Sequence, residues 1–369
     1  MSELYIGLMS GTSLDGIDGV LADFSGPRMV VTHHASAPFA PALRAELLAL
    51  NTPGGDELHR AALAGNALAR AYAQVVQALL GHSGQPAAAI RAIGAHGQTV
   101  RHRPQEFDDT GYTLQLGNPA LLAEHAGIAV VADFRSRDVA AGGQGAPLVP
   151  AFHQGVFGRA DETMLVLNIG GISNLSVLGA DGSVLGFDCG PGNALMDHWC
   201  QQHTGRPFDA GGAWAASGQV LPALLASLRQ EPFLHKPPPK STGRDLFNPG
   251  WLAQHLRHAP EARPEDVQAT LTEFTASACA ASAGSYQKNS KTLAVCGGGA
   301  LNTHLMARLQ AACPALRVVA TDALGLPALQ VEAAAFAWLA RQALRGLPGN
   351  LPSVTGAAGP RVLGAVYPA

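Results

Sequence analysis

The chain has 369 residues, of which 47% are apolar and 14% are charged. This composition predicts a globular protein, large enough for two hydrophobic cores, and it excludes an intrinsically disordered chain. The formal net charge of -3 and the lack of a basic block argue against a nucleic-acid partner.

The cysteines and the N-terminus bear on the compartment. The five cysteines are Cys189, Cys200, Cys279, Cys296 and Cys313, an odd number without a Cys-x-x-Cys motif. They predict neither a disulfide framework nor a zinc site, and they favour a reducing environment. The N-terminus lacks the basic segment of a signal peptide, and no apolar run approaches the ~18 residues of a membrane helix. We therefore expect a cytoplasmic protein with no membrane partner.

The first predicted elements are two strands joined by a polar turn. Apolar runs at 4–8 and 17–24 flank the sequence Ser10-Gly-Thr-Ser-Leu-Asp-Gly16. Its glycines allow close approach of a ligand, and successive backbone N–H groups in such a turn can surround an anion. The turn is interpreted as a nucleotide phosphate loop, with an ordinary hairpin turn as an equal alternative. A third strand follows at 29–34, and helices are predicted at 41–50 and 56–80.

Two polar stretches of the first half are candidate site walls. A short buried strand at 90–95 runs into His96-Gly-Gln-Thr99, and ligands of α/β proteins bind at such strand ends. A surface or capping role is the alternative for His96. Asp133-Phe-Arg-Ser-Arg-Asp138 is either a solvated salt-bridged loop or a wall in which arginine binds an anionic or hydroxylated substrate. The small residues at 140–147 predict a hinge and a domain boundary.

The second half repeats this order. A strand at 163–168, a Gly/Ser turn at 169–175 and strands at 176–178 and 183–187 match the opening of the chain. A phosphate turn in each half would clamp a polyphosphate from both sides. Asp188 ends the third strand beside a Gly-Pro-Gly turn and a helix N-terminus, a suitable position for a general base.

Two later features complete the predicted site. A strand at 292–295 runs into Gly297-Gly-Gly299 and then a helix, which leaves room for a flat ring or a phosphate against the backbone. Glu332 lies in the first turn of a helix at 330–344. It is either a partner of the helix dipole or a site group.

In this order the motifs resemble the actin, sugar kinase and heat-shock chaperone ATPase superfamily, and no P-loop, Rossmann or protein kinase motif is present. Within it, the chain closely resembles the anhydro-N-acetylmuramic acid kinases. The matching stretches, which run over nearly the whole chain, are 7–18, 96–104, 117–119, 133–148, 168–174, 187–193, 239–244 and 296–302. Cys189 stands where threonine is more usual in the family, and its small side chain casts little doubt on Asp188.

The resemblance implies an α/β fold of two duplicated actin-like ATPase (ribonuclease H-like) domains with a nucleotide cleft between them. The domains are expected at 1–139, joined by the tail 345–369, and at 140–344. The implied enzyme opens the 1,6-anhydro ring of anhydro-N-acetylmuramic acid with water. It then phosphorylates O6 with ATP and Mg²⁺, and N-acetylmuramic acid 6-phosphate and ADP leave as products of murein (peptidoglycan) recycling.

The resemblance also implies the site residues. The expected catalytic residues are Asp188 and Glu332: Asp188 is expected to activate the water, and Glu332 is expected to act as a second site carboxylate near the sugar. The expected substrate-binding residues are His96, Gln98, Arg135 and Asn193. The expected ATP-binding residues are Gly11, Thr12, Ser13, Leu14, Asp15, Gly16, Ile17, Asp18, Gly170, Gly171, Ser173, Asn174, Gly297, Gly298 and Gly299, with Asp15 as a water-mediated ligand of Mg²⁺. The expected partners are these small molecules, and a homodimer is considered.

Two other functions stay open. A non-catalytic, ATP-switched protein of the chaperone or filament type would need neither Asp188 nor the arginine-rich loop at 133–138. A plain sugar kinase would phosphorylate N-acetylmuramic acid itself, without a role for water. Nucleotide-dependent polymerisation would favour the first alternative. Comparison of the anhydro sugar with N-acetylmuramic acid and glucose as acceptors would test the second.

Overall fold

The computed structural model describes residues 3–11, 14, 16–238, 240–243, 246–257 and 260–369. The chain divides into two compact units. The first consists of Met1–Val156 and Gln330–Ala369, and the second of Phe157–Leu329. In the described ranges, no helix combines the length and the apolar character that crossing a membrane requires.

The described residues form the following elements. The strands are β1 (Leu4–Met9), β2 (Gly16–Asp23), β3 (Val30–Pro38), β4 (Ile90–Ala95), β5 (Gln98–Pro104), β6 (Gly111–Leu116), β7 (Val130–Ala132), β8 (Met164–Ile169), β9 (Ile172–Leu178), β10 (Val184–Pro191), β11 (Thr292–Cys296), β12 (Arg317–Ala320) and β13 (Ala365–Tyr367). The α-helices are α1 (Pro41–Ala49), α2 (Glu57–Ser83), α3 (Pro119–Ala126), α4 (Ser136–Ala140), α5 (Val149–Phe157), α6 (Ala194–Thr204), α7 (Ala213–Ser217), α8 (Pro222–Leu228), α9 (Pro249–Leu256), α10 (Pro264–Gly284), α11 (Thr303–Ala312), α12 (Val331–Leu344) and α13 (Pro352–Thr355). Short 3-10 helices lie at Ala87–Ala89, Ala210–Gly212, Pro232–His235, Gln287–Asn289, Gly298–Leu301 and Thr321–Leu324.

The two units share one sheet topology. The first sheet has the strand order β13-β7-β4-β1-β2-β3, and the second has the order β10-β9-β8-β11-β12. In both, an antiparallel three-strand meander (β1-β2-β3 or β8-β9-β10) is extended from its first strand by a parallel strand, β4 or β11. This repeat confirms the predicted α/β class and the predicted duplication.

Helices pack on both faces of the first sheet. Successive side chains of β1 point to opposite faces, so this strand contributes to both cores. Ile6 and Leu8 belong to the core formed with α2, whereas Tyr5 belongs to the core formed with α12. Gly7 and Gly94 are register partners in β1 and β4 and lie under α12. A Cβ atom on Gly7 would lie 1.9 Å from the carbonyl oxygen of Ala333, and one on Gly94 would lie 2.0 Å from that of Phe336. The glycine pair therefore lets the helix backbone rest directly on the sheet.

The second sheet packs against α10, which is buried on most of its surface. Leu271 and Phe274 of this helix share a core with Leu165 of β8 and Val295 of β11. The helix begins at Pro264, since proline suits the first turn of a helix, and it ends at Gly284.

The unit boundaries differ from the expected domain boundaries. The small-residue stretch at 140–147, expected to be a hinge, lies inside the first unit. The fully buried Asp138 accepts hydrogen bonds from the Gly145 N–H at 2.7 Å and the Thr355 hydroxyl at 2.7 Å. The carbonyl oxygen of Thr355 in turn accepts from the Gln144 N–H at 2.7 Å. The stretch is thus fastened to the C-terminal tail, and α12 joins the first unit because it packs on β1 and β4.

Two predicted loops contain regular structure. Part of the 96–104 stretch forms β5, which pairs antiparallel with β6. Part of the 133–138 stretch forms the start of α4. The β5–β6 hairpin forms a separate two-stranded sheet beside the end of β4. Both loops therefore present their side chains from defined backbone positions.

Candidate active site

The turn between β1 and β2 is anchored by the segment that follows β4. The buried hydroxyl of Ser10 donates to the carbonyl oxygen of Gly97 at 3.0 Å and lies 2.8 Å from the hydroxyl of Tyr72. The Gln98 side-chain amide donates to the carbonyl oxygen of Gly11 at 3.1 Å. These bonds fix Ser10 and Gly11, at the start of the turn, relative to the sheet.

The expected ATP-binding residues of this turn differ in which of their groups can face a ligand. Thr12, Ser13 and Asp15, which include the expected metal ligand, lie outside the described residues. The side chains of Leu14 and Ile17 are buried in the core, so only their backbone groups can face a ligand. Gly16 lies against the carbonyl of Ala37, where a Cβ atom would come within 2.4 Å.

Asp18 is the described carboxylate of the turn region. It lies on β2, its side chain is 46% exposed, and its Oδ1 is 3.2 Å from Nε2 of His34. In the described part of the chain, no group of three or more His, Cys, Asp or Glu side chains could hold a metal. An Mg²⁺ ion that keeps its waters and binds mainly through phosphate oxygens needs no such cage.

The buried His96 and the partly exposed Arg135 form a pair next to this turn. Nδ1 of His96 lies 3.1 Å from the carbonyl oxygen of Ser10. Nε2 lies 2.9 Å from Nη2 of Arg135 and 3.4 Å from its Nε. Burial, with the positive charge of Arg135 as the second cause, lowers the pKa of His96 to about 3. The imidazole is therefore neutral at physiological pH, and its two nitrogens are both engaged within the protein.

Glu332 lies beside this pair, in the first turn of α12. Burial raises the pKa of its carboxyl group, the charge of Arg135 opposes that shift, and the charge of Asp18 adds to it. Burial likewise lowers the pKa of Arg135 to about 10, against the influence of Glu332 and Asp138. The first unit thus brings three of the predicted site residues, His96, Arg135 and Glu332, to one end of its sheet. Arg137 of the same loop is exposed.

Asp188 occupies an irregular position on β10. It is the register partner of Asn174, whereas Gly190 is the partner of Ser173, so the intervening Cys189 forms a β-bulge. Bulges re-aim side chains and are common beside active sites. Here the Cys189 side chain points into the core and the neighbouring Asp188 is only half-buried.

The segment at 240–242 holds the Asp188 carboxylate. Its Oδ2 accepts from the Thr242 N–H at 2.8 Å and from the Ser241 hydroxyl at 3.0 Å. Burial raises the pKa of Asp188, and the two donors and the charge of Lys240 oppose the shift. The sequence analysis did not assign Ser241 or Thr242 a role, although both lie in the family motif at 239–244. An oriented carboxylate with a raised pKa can accept a proton from a water molecule.

The second turn, between β8 and β9, lies against two other predicted segments of the second unit. The carbonyl oxygen of Gly170 accepts from the Asn193 N–H at 2.7 Å, and the Asn193 side chain donates to the carbonyl of Ile169 at 3.1 Å. Gly297 has a φ of 78° and lies so close to Asn168 that a Cβ atom would be 2.5 Å from its Oδ1. The structure therefore brings the 168–174, 190–194 and 297–299 segments together at one end of this sheet.

Two of the predicted residues there have structural partners. Ser173 is fully buried, and its hydroxyl donates to the carbonyl oxygens of Gly190 at 3.1 Å and Pro191 at 3.2 Å. A Cβ atom on Gly299 would lie 2.4 Å from the side chain of Ile169. Ser173 and Gly299 thus keep the neighbouring segments close. Gly298 is exposed, and Gly170, Gly171 and Gly297 are partly exposed.

Comparison with known proteins agrees with the motifs. The family model described as anhydro-N-acetylmuramic acid kinase matches residues 3–369. A protein of that name from Variovorax paradoxus (strain S110) is 68% identical over 372 residues, which cover 100% of this chain and 99% of the relative. Another, from Albidiferax ferrireducens, is 62% identical and covers 100% of both chains. A third, from Cupriavidus pinatubonensis, is 60% identical and covers 99% of this chain and 98% of the relative.

Proposed function

The chain belongs to the anhydro-N-acetylmuramic acid kinase family, and from this membership we propose a reaction for its carboxylates. The membership confirms the predicted family and enzyme class: the protein is a phosphotransferase of peptidoglycan recycling that uses ATP and an amino sugar. We propose that it works in the cytoplasm. We also propose that it couples hydrolytic opening of the 1,6-anhydro ring to phosphorylation of O6, giving N-acetylmuramic acid 6-phosphate and ADP.

The observation that carries this proposal is the setting of Asp188. Its carboxylate is oriented by Thr242 and Ser241, and burial raises its pKa towards that of a useful base. We assign it the proton of the attacking water. The water oxygen bonds to C1, the C1–O6 bond breaks with its electron pair moving to O6, and O6 attacks the γ-phosphorus as ADP leaves. Asp188 afterwards releases this proton to solvent and regains its starting charge.

Phosphate binding is assigned to the two glycine-bearing turns. In the first unit, we propose the backbone of Gly11, Leu14 and Gly16 with Thr12, Ser13, Asp15, Ile17 and Asp18. In the second unit, we propose Gly170, Gly171, Ser173, Asn174 and Gly297–Gly299. Mg²⁺, when bound, neutralises charge on the transferring phosphoryl group, and Asp15 is the proposed water-mediated contact. We assign the two turns the positioning of the phosphates, which is most of what phosphoryl transfer requires of a protein.

Sugar binding is assigned to Arg135, Asn193 and Glu332. All three side chains are partly exposed, whereas His96 and Gln98, 5% and 1% exposed, have their described hydrogen bonds within the first unit. A guanidinium group suits a carboxylate such as that of the lactyl side chain. We therefore keep Arg135 and Asn193 as direct contacts, and give His96 and Gln98 supporting positions.

A coupled ADP-release assay tests the function. Anhydro-N-acetylmuramic acid is expected to support turnover, and N-acetylmuramic acid and glucose are expected to be poor acceptors. Equal rates with N-acetylmuramic acid would instead favour the plain sugar kinase. Turnover in ¹⁸O-water is expected to place the label on the C1 hydroxyl. Unlabelled product, after correction for anomeric exchange, would contradict the role of water. Light scattering on the same preparation would test for a homodimer.

A further inference from the structure

We infer that His96 is a positioning residue whose neutral ring fixes Arg135 with one nitrogen and the β1–β2 turn with the other. The inference rests on the proposed function, in which Arg135 serves the sugar and the turn serves the nucleotide. It assigns His96 a part in the reaction without contact with either substrate.

The donors around the ring determine where its proton lies. A guanidinium group has only N–H donors, so Nε2 of His96 must accept from Arg135. The proton of the neutral imidazole is then on Nδ1, from which it is donated to the carbonyl oxygen of Ser10 at 3.1 Å. The reverse tautomer would place an N–H against the guanidinium and leave the Ser10 carbonyl facing a lone pair. One tautomer therefore satisfies both contacts.

On the arginine side, the bond to His96 fixes the orientation of a charge. His96 lies against the Nε/Nη2 edge of Arg135, and Nη1 donates to the carbonyl oxygen of Gly145 at 2.8 Å. The guanidinium group is thus held from two directions. The positive charge of Arg135 lowers the pKa of Glu332, and the negative charge of Asp18 raises it.

The histidine ring also contacts the helix that carries Glu332. Its centroid is 4.8 Å from that of Phe336, one turn after Glu332 on α12. Displacement of the ring would therefore disturb both Arg135 and the helix face next to the carboxylate.

On the turn side, the bond from His96 joins two others. The Ser10 hydroxyl bonds to Gly97, and Gln98 bonds to the Gly11 carbonyl, so three consecutive residues after β4 hold two consecutive residues of the turn. His96 is the member of this set that also reaches Arg135. Among the described side chains, His96 is therefore the shared hydrogen-bond partner of the turn and of the Arg135 guanidinium group.

A matched pair of substitutions separates the two bonds. An asparagine amide can take the place of the Nδ1–H donor, and a glutamine carbonyl can take the place of the Nε2 acceptor. In His96→Asn we expect the KM for the sugar to rise about tenfold, the size of one lost hydrogen bond to a charged group, with the KM for ATP within about twofold. In His96→Gln we expect the KM for ATP to rise and the KM for the sugar to change little.

The pH profile supplies a readout that a purely structural role would not move. In His96→Asn the guanidinium group is less firmly held, so Glu332 loses part of its opposing charge and its pKa should rise further. Glu332 and Asp188 both contribute to the acid limb of kcat/KM for the sugar. The part due to Glu332 is expected to shift to higher pH in His96→Asn and to stay in place in His96→Gln. Equal increases of both KM values in both variants, with an unmoved limb, would overturn the inference. A rise in the sugar KM alone in both variants would point to direct contact with the sugar.

A spectroscopic measurement on the wild type is independent of turnover and of variant folding. In ¹⁵N-histidine-labelled protein, the signal of His96 is assigned by its loss in a His96 variant. From pH 8 to pH 5 this signal should show a protonated Nδ1 and an unprotonated Nε2. A signal that titrates near pH 6.5, or a protonated Nε2, would overturn the inference. Failure of the anhydro sugar as a substrate would refute the proposed function and leave this result intact.

Discussion

The most direct test of the site is replacement of Asp188 by asparagine. The change keeps the size of the side chain and an oxygen that can accept the 2.8 Å bond from the Thr242 N–H and the 3.0 Å bond from the Ser241 hydroxyl. The change removes the carboxylate that could accept a proton. The variant should therefore fold and bind both substrates, while the proton of the attacking water has no acceptor.

The size of the effect follows from the assigned role. Loss of a general base typically costs about 100-fold to 10,000-fold in rate, and a 100-fold loss corresponds to about 2.7 kcal/mol of transition-state stabilisation. We expect kcat to fall by more than about 100-fold, with both KM values nearly unchanged. In the wild type, the rate should fall as the pH drops through the raised pKa of Asp188, which is above that of an ordinary aspartate.

Although Asp188→Asn should lose activity, its folded state should be more stable than that of the wild type at neutral pH. Because burial raises the pKa of Asp188, the folded protein binds this proton more tightly than the unfolded chain does. The resulting stabilisation is complete below the unfolded pKa of 3.8 and is lost as the pH rises through the folded pKa. At neutral pH the ionised carboxylate is thus unfavourable, so Asp188→Asn should raise the Tm at pH 7 and lose this advantage in acid.

The assay combines ADP release at saturating substrate with thermal unfolding at pH 7 and at acid pH. Asp161→Asn is the matched control, since it removes an exposed carboxylate from the same unit. A kcat within tenfold of wild type would refute the general-base role. An unchanged or lower Tm at pH 7 would refute the argument from burial, and equal effects of Asp161→Asn would show that the response is not specific to the site.

Three further outcomes are expected. Gly94→Ala should destabilise the fold by about 1–3 kcal/mol or more in urea unfolding, because its Cβ would lie 2.0 Å from the Phe336 carbonyl oxygen; an unchanged midpoint would contradict the close packing. Asp138→Ala should cost about 3 kcal/mol or more, since its buried donors lose their acceptor; a loss below about 1 kcal/mol would show that they find other partners. His96 and His153 are buried with pKa values of about 3, below the ordinary 6.5, so their stabilising effect is complete above pH 6.5 and is lost as the pH falls towards 3; a Tm that stays constant between pH 7 and pH 5 would contradict this.

Local patterns sufficed to predict most elements and the repeat. The predicted helix at 56–80 corresponds to α2 at Glu57–Ser83, and the two strand-turn-strand patterns correspond to the turns after β1 and β8. Each pattern extends over neighbouring residues, so the sequence contains it directly. The Gly7–Gly94 pair could not be predicted in this way, because its role depends on a helix more than 200 residues away in the chain.

The candidate site was predictable in its residue types and not in its contacts. The strand-end position of Asp188, the helix-start position of Glu332 and the family motifs predict these two residues as site groups. The donors Ser241 and Thr242 lie more than 50 residues from Asp188 in the chain, so only the motif at 239–244 could have indicated them. The burial of His96 likewise depends on tertiary packing that no local pattern reports.

The return of the chain to the first unit has a consequence for biosynthesis. The second unit is one continuous segment, Phe157–Leu329, whereas the first unit needs both the opening residues and Gln330–Ala369. On the ribosome, β1 and β4 emerge early, yet the face around Gly7 lacks its helix until α12 has been translated, and β7 lacks its outer partner until β13 follows. The unit whose translation begins first is therefore completed only after the whole second unit has been translated.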